Sequence, residues 1–287
     1  MRPIQALGLC LAAVSAVLAV NLPARTASHA VADVIERELP ASAVPGMAYA
    51  IVDHGRVVES GERGVRHVER SEAVGPHTTF LIGSISKSFT ALAVMQLVEA
   101  GKVELDAPIA RYLGVFAGKP GGAATVRQLL SHTSGYSTIQ GNRSQTDVAT
   151  DKDALRRRVA QLARVTPQSP PGTEWTYSNA NYQILGRLME VSSGVHYATY
   201  VETNVLAPAG MADSYVHGAQ DRAGMATGHR PWFGRKAPLR ANMTGAWIGR
   251  RHRLELARHG ALSRHHDERE GRHSQRLGED ADDDARQ

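Results

Sequence analysis

Residues 84–100 constrain the fold of this chain more than any other segment. Their pattern predicts a helix that stops at Gly101, and apolar side chains fall on almost every face of it. A surface helix keeps one polar face, whereas a helix that is apolar all round has to be covered by the rest of the protein. We therefore expect this helix in the middle of the fold. Its apolar residues include Phe89, Leu92, Val94, Met95, Leu97 and Val98.

Strand and helix patterns on either side of the central helix indicate the fold class. Residues 46–52 and 57–64 have strand-like content and are joined by a turn, which predicts an antiparallel hairpin. Short helical segments separated by Pro and Gly follow the central helix, at 126–130, 151–165, 180–193 and 196–206. A β opening followed by a helical block predicts an α/β or α+β protein.

The N-terminus has the pattern of an export signal. Arg2 precedes an apolar run over residues 4–20, and a cleavage site follows, so we expect cleavage near Ala30 and a periplasmic or extracellular protein. The alternative is an uncleaved membrane anchor, because the run is near the ~17-residue minimum of a spanning helix. The chain's single cysteine, Cys10, lies in this run, so the mature protein would lack a cysteine for a disulfide or a metal site.

The formal net charge of the chain is +5, but its basic residues are scattered rather than gathered on one aromatic-rich stripe. We therefore predict no nucleic-acid partner. Residues 249–287 hold nine Arg, five His, nine Asp or Glu and no Val, Ile, Phe, Tyr or Trp. Such a segment cannot bury enough apolar surface to offset the entropy of ordering it, which predicts a disordered tail. No metal site is predicted, because the adjacent His265 and His266 lack zinc-ligand spacing.

A Ser-x-x-Lys motif opens the central helix. Ser84 and Lys87 lie three residues apart, on one face of the first turn. A serine hydroxyl becomes a nucleophile when a base takes its proton, and a lysine can do so only when neutral. We expect burial and the positive end of the helix dipole to lower the pKa of Lys87 from ~10.4 toward ~7 or 8. The same N-terminus offers the Ser84 backbone N–H to a developing oxyanion.

Each motif also has a structural interpretation. A serine N-cap followed by a solvated lysine would give Ser-x-x-Lys as well, although the apolar flanks disfavour it. The second motif is Tyr177-Ser178-Asn179, between a Pro-rich loop and a predicted helix. A phenol at Tyr177 can share protons with Lys87, and the amide of Asn179 can hold both the lysine and a substrate carbonyl. Equally, Ser178 or Asn179 could simply cap the helix.

Together the two motifs resemble those of class C β-lactamases, penicillin-binding proteins and family VIII esterases. The resemblance runs over about residues 45–249 and implies a β-lactamase-like fold, with an antiparallel sheet flanked by helices and a helical subdomain. It implies Ser84, Lys87 and Tyr177 as catalytic residues, Asn179 as a substrate-binding residue, and no cofactor. Further matching segments are Leu105-Asp106, the run from Gln128 through His132 to Gly135, Pro171-Gly172 and Gly210-Met211. The resemblance also implies that His132 has a structural rather than a catalytic role.

A third motif of this group, Lys-Thr-Gly or His-x-Gly, does not occur in the sequence. We therefore expect the closing strands of the hydrolase domain to be missing. The whole chain then divides into a signal peptide at 1–30, this domain at 31–248 and the polar tail at 249–287. The resemblance implies a serine hydrolase that forms an acyl-enzyme with a β-lactam, a D-amino peptide derived from peptidoglycan, or an ester. We expect the protein to be a monomer. The alternative is a truncated, inactive protein that at most binds cell-wall peptide, and we expect low activity in the chain as written.

Overall fold

A helical group and three small sheets make up the parts of the chain that the computed structural model describes, which are residues 30–42, 44–143, 151–216, 224–232, 235–238 and 252–254. The α-helices are α1 (Ala30–Glu38), α2 (Ser86–Glu99), α3 (Val126–Leu130), α4 (Thr138–Arg143), α5 (Ala154–Leu162), α6 (Asn179–Ser193) and α7 (Tyr197–Val201). The strands are β1 (Gly46–Asp53), β2 (Arg56–His67), β3 (Glu72–Ala73), β4 (Phe80–Leu81), β5 (Tyr215–Val216), β6 (His229–Trp232), β7 (Arg235–Pro238) and β8 (His252–Leu254). Helices and antiparallel sheets in one chain confirm the predicted mixed class. The predicted signal segment, apart from Ala30, lies outside the described residues.

The hairpin near the start of the domain forms as predicted. β1 pairs with β2 in an antiparallel register that runs from Gly46 opposite Gly64 to Asp53 opposite Arg56. The turn residues His54 and Gly55 have φ values of 45° and 70°. A two-residue hairpin loop with positive φ at both positions matches the twist of the strands, and it favours glycine because a Cβ is strained there.

A second sheet contains a strand from the polar tail. β8 lies between β4 and β5 and pairs antiparallel with both, with Leu254 opposite Phe80 and Arg253 opposite Tyr215. β8 falls inside residues 249–287, for which polar composition predicts disorder. The structure differs at these three residues because backbone N–H and C=O groups, rather than apolar side chains, join a strand to its neighbours. The rest of the tail lies outside the described residues.

The central helix α2 is buried along one side. Phe89, Ala93, Val94 and Leu97 are at most 3% exposed and pack in the main apolar core. Met95, on the opposite face by helical geometry, is 36% exposed. The predicted central position is therefore confirmed. The prediction of burial on every side is wrong, because only the face opposite Met95 packs against α6 and α7.

Helix α6 fixes the position of the site. It packs against α2, α3, α4 and α5, and most of its residues are buried. Its first residue, Asn179, contacts Lys87 in the first turn of α2, so the N-termini of two buried helices meet. Within the described parts of the chain, every helix is too short or too polar to cross a membrane.

Candidate active site

The candidate nucleophile stands at the exposed start of the central helix. Ser84 lies in the short 3₁₀ turn Gly83–Ile85, which leads directly into α2. Gly83 has a φ of 56°, a left-handed conformation that a side chain would strain. This turn leaves the Ser84 hydroxyl accessible while Lys87, one turn further on, is buried.

The side-chain nitrogen of Lys87 lies among three oxygen atoms. Its Nζ is 3.2 Å from Ser84 Oγ, 2.6 Å from Tyr177 OH and 2.9 Å from Asn179 Oδ1. The side chain is only 7% exposed, so the three oxygens replace water around the nitrogen. The arrangement excludes the alternative of a solvated lysine after a serine cap.

Tyr177 joins the nucleophile to the lysine. Its hydroxyl is 2.7 Å from Ser84 Oγ, and the centroid of its ring lies 4.8 Å from Lys87 Nζ. Thr138 Oγ1 donates a hydrogen bond of 2.6 Å to the Tyr177 carbonyl oxygen and fixes its backbone. A hydroxyl, a phenol and an amine within hydrogen-bond distance of each other can pass a proton between any two of them.

Ser178 and Asn179 have separate tasks at the start of α6. Ser178 occupies the N-cap position, but its side chain makes no capping bond and instead donates to the carbonyl oxygen of Ser137. Asn179 accepts from Lys87 through Oδ1 and donates through Nδ2 to Asn142 Oδ1, at 3.0 Å. Simple helix capping therefore does not account for the second motif.

Asn142 is a site residue that the sequence did not reveal. It lies in α4, which runs against the start of α6 so closely that a Cβ on Gly141 would be 2.6 Å from the Asn179 backbone nitrogen. The bond from Asn179 orients the amide so that its oxygen faces Lys87. Asn142 does not belong to a recognisable motif, and only the packing of α4 on α6 brings it to the site.

His132 supports the site from behind. Its Nδ1 accepts the backbone N–H of Ser178 at 3.2 Å and lies 3.0 Å from Asn181 Nδ2, and its ring lies 4.7 Å from that of Tyr177. Burial, together with the charge of Lys87, lowers the pKa of His132 from 6.5 to about 4. A neutral ring whose Nδ1 accepts hydrogen bonds is therefore the form that holds this loop, in line with a structural role.

The lowered pKa of His132 predicts a loss of stability in acid. The unfolded chain takes up this proton as the pH falls through about 6.5, whereas the folded chain resists until about pH 4. The free energy of unfolding in urea should therefore decline over that interval. His132→Asn should show a smaller decline between pH 7 and 5 than the unsubstituted protein, and equal declines would contradict the assignment.

Comparison with known protein families identifies the family to which this chain belongs. A family model described as Beta-lactamase matches residues 31–263. The chain belongs to the beta-lactamase family. The match includes the strand β8 and extends past residue 248, the predicted end of the domain. Membership places this beta-lactamase family protein in the serine hydrolase superfamily that includes the penicillin-binding proteins.

Relatives and solved structures agree with the family. The chain is 37% identical to "Penicillin-binding protein 4" of Amycolatopsis lactamdurans over 60% of its own length and 44% of that protein, so it spans less than half of this relative. The octameric penicillin-binding protein homologue from Pyrococcus abyssi is 29% identical, with a TM-score of 0.72 over 84% of this chain and 56% of that one. A class C beta-lactamase, 24% identical, has the same fold, with a TM-score of 0.67 over 80% of this chain and 62% of that one.

Proposed function

We propose that this protein is a serine hydrolase that forms an acyl-enzyme on Ser84. The observation that carries the proposal is the contact of Ser84 Oγ with Tyr177 OH at 2.7 Å and with Lys87 Nζ at 3.2 Å. A lone serine is a weak nucleophile, and its activation requires a base within reach, here Lys87, directly or through Tyr177.

In the proposed acylation, the neutral amine of Lys87 takes the Ser84 proton, directly or through Tyr177. The Ser84 oxygen forms a bond to the carbonyl carbon of the acyl donor, and the carbonyl π electrons move to its oxygen. The Ser84 backbone N–H at the helix N-terminus can donate to that oxyanion. Collapse breaks the bond to the leaving group, which takes a proton from Tyr177, and Tyr177 is reprotonated by Lys87.

Hydrolysis of the acyl-enzyme uses the same proton path, with water as the nucleophile and Ser84 as the leaving group. Lys87 takes a proton from water, directly or through Tyr177, as the water oxygen bonds to the ester carbonyl carbon. The tetrahedral intermediate then breaks its bond to Ser84 Oγ, and the proton returns from Lys87 to Ser84 by the same path. Asn179, held by Asn142, keeps Lys87 in place and can donate to a substrate carbonyl oxygen. We propose β-lactams, D-amino peptides of the cell wall and esters as the substrate classes, because all three are acyl donors.

The place of action is also a proposal. The apolar run over residues 4–20 after Arg2 supports export, to the periplasm or the exterior, where cell-wall peptides occur. We propose a monomer as the working form. Light scattering of the purified protein would test this, and an assembly like that of the octameric Pyrococcus abyssi homologue would contradict it.

A second candidate function is binding of cell-wall peptide without turnover. It is favoured by one observation, the lack of a Lys-Thr-Gly or His-x-Gly triplet in the sequence. A missing oxyanion donor alone costs a rate factor of about 10²–10³. In this case Ser84 would react once at most, and product would not accumulate.

Stopped-flow assays of p-nitrophenyl esters and a chromogenic cephalosporin separate the two functions. The hydrolase proposal predicts a burst followed by continuing release, both absent in Ser84→Ala. Release that is equal in the two proteins contradicts it. A burst without a steady phase supports the binding function instead. Ser88→Ala, a change at an exposed serine one turn along the same helix, is the matched control and should retain both phases.

A further inference from the structure

The three most exposed large apolar side chains in the described parts of the chain belong to segments that form the candidate site. Trp175, Ile139 and Ile85 are 68%, 64% and 61% exposed, and they are the three most exposed large apolar residues in the described parts of the chain. The next is Val58, at 51%. Single exposed apolar residues are common on protein surfaces and need no explanation. The three largest exposed fractions in segments that form one site do need one.

Each of the three belongs to a segment that forms the site. Ile85 directly follows Ser84 in the 3₁₀ turn. Ile139 follows Thr138, which bonds to the Tyr177 carbonyl oxygen. The Trp175 ring lies 6.3 Å from that of His132, which in turn contacts the Tyr177 ring. The three therefore belong to three different chain segments, each of which forms part of the site.

We propose that these side chains, the apolar rim of Ile85, Ile139 and Trp175, bind the uncharged apolar part of an acyl donor. The inference rests on the proposed function and narrows its substrate class to donors with an alkyl or aryl chain. Water would leave both surfaces on binding, and apolar contact favours the longer chain. Donors that carry a carboxylate beside the scissile bond form the rival class, and Arg143, an exposed cation that follows Asn142 in α4, is the residue we would test as their partner.

The rate of Ser84 modification by methyl, propyl and pentyl fluorophosphonates tests the rim without needing turnover. We expect the rate to rise about threefold for each added methylene group, since full burial of one is worth about fourfold. Ile139→Ser and Trp175→Ser should each lower the pentyl-to-methyl ratio. Val115→Ser, at a 44% exposed valine in the turn Gly114–Phe116, is the matched control and should leave the ratio unchanged.

The outcomes distinguish this inference from the proposed function. A Ser84 reaction with no dependence on chain length overturns the rim but leaves the hydrolase proposal standing. Faster reaction with a carboxylate-ended chain of equal length, lost in Arg143→Ala, assigns the rival class and also overturns the rim. Failure of Ser84 to react with any fluorophosphonate overturns both. Thermal melting of each variant, compared with the unsubstituted protein, verifies that a changed ratio comes from a folded protein.

Discussion

Replacing Lys87 by alanine should lower the rate of Ser84 acylation near pH 7 by about 10³-fold or more, within the range for loss of a positioned general base. Lys87 Nζ contacts Ser84 Oγ, Tyr177 OH and Asn179 Oδ1, so its removal takes away the base and the group that holds Tyr177 and Asn179 in place. The measurement is the rate of fluorophosphonate labelling, followed on a gel or by intact mass.

Two further variants distinguish the action of Lys87 as a base from its contribution to packing. Lys87→Arg keeps a long cationic side chain but cannot become neutral in this pH range, so it should be as slow as Lys87→Ala. Lys102→Ala, at an exposed lysine after α2, should label at the normal rate. An unchanged rate in both Lys87 variants would show that another group is the base.

Tyr177→Phe should slow turnover by about 10²-fold, the scale of one acid–base partner. The phenol lies 2.7 Å from Ser84 Oγ and 2.6 Å from Lys87 Nζ, so its loss interrupts the path to the leaving group. The ring itself would remain against that of His132. Steady-state hydrolysis of an ester with a poor leaving group is the most sensitive measurement.

The comparison for Tyr177→Phe is a phenol outside the site. Tyr49→Phe removes a hydroxyl that donates to Glu59 in the hairpin, and it should leave turnover unchanged. Equal turnover in Tyr177→Phe and the unsubstituted protein would mean that Lys87 alone transfers the protons. Unfolding of Tyr177→Phe would assign the hydroxyl to stability rather than catalysis.

The sequence predicted the parts of the site that depend on local geometry. Ser84 and Lys87 follow from the three-residue spacing on a helix, and the apolar flanks indicated that the helix would be buried. The contact of Tyr177 with Ser84 joins residues 93 positions apart. No periodicity predicts such a contact, and it was expected only from the resemblance to a known family.

Other features depend on packing that the sequence does not encode locally. Asn142 reaches Asn179 because α4 lies against α6, and no motif marks it. β8 pairs through its backbone, so its polar composition pointed to disorder. Met95 is exposed although its apolar neighbours suggested burial, because periodicity identifies apolar faces but not which of them the rest of the chain covers.

Localisation of the covalent adduct tests the central claim most directly. The protein is treated with a fluorophosphonate near pH 7, digested, and its peptides are sequenced by tandem mass spectrometry. The account predicts one adduct, on Ser84, which is absent in Ser84→Ala and strongly reduced in Lys87→Ala. An adduct on another residue, or the same degree of labelling in Ser84→Ala, would contradict it.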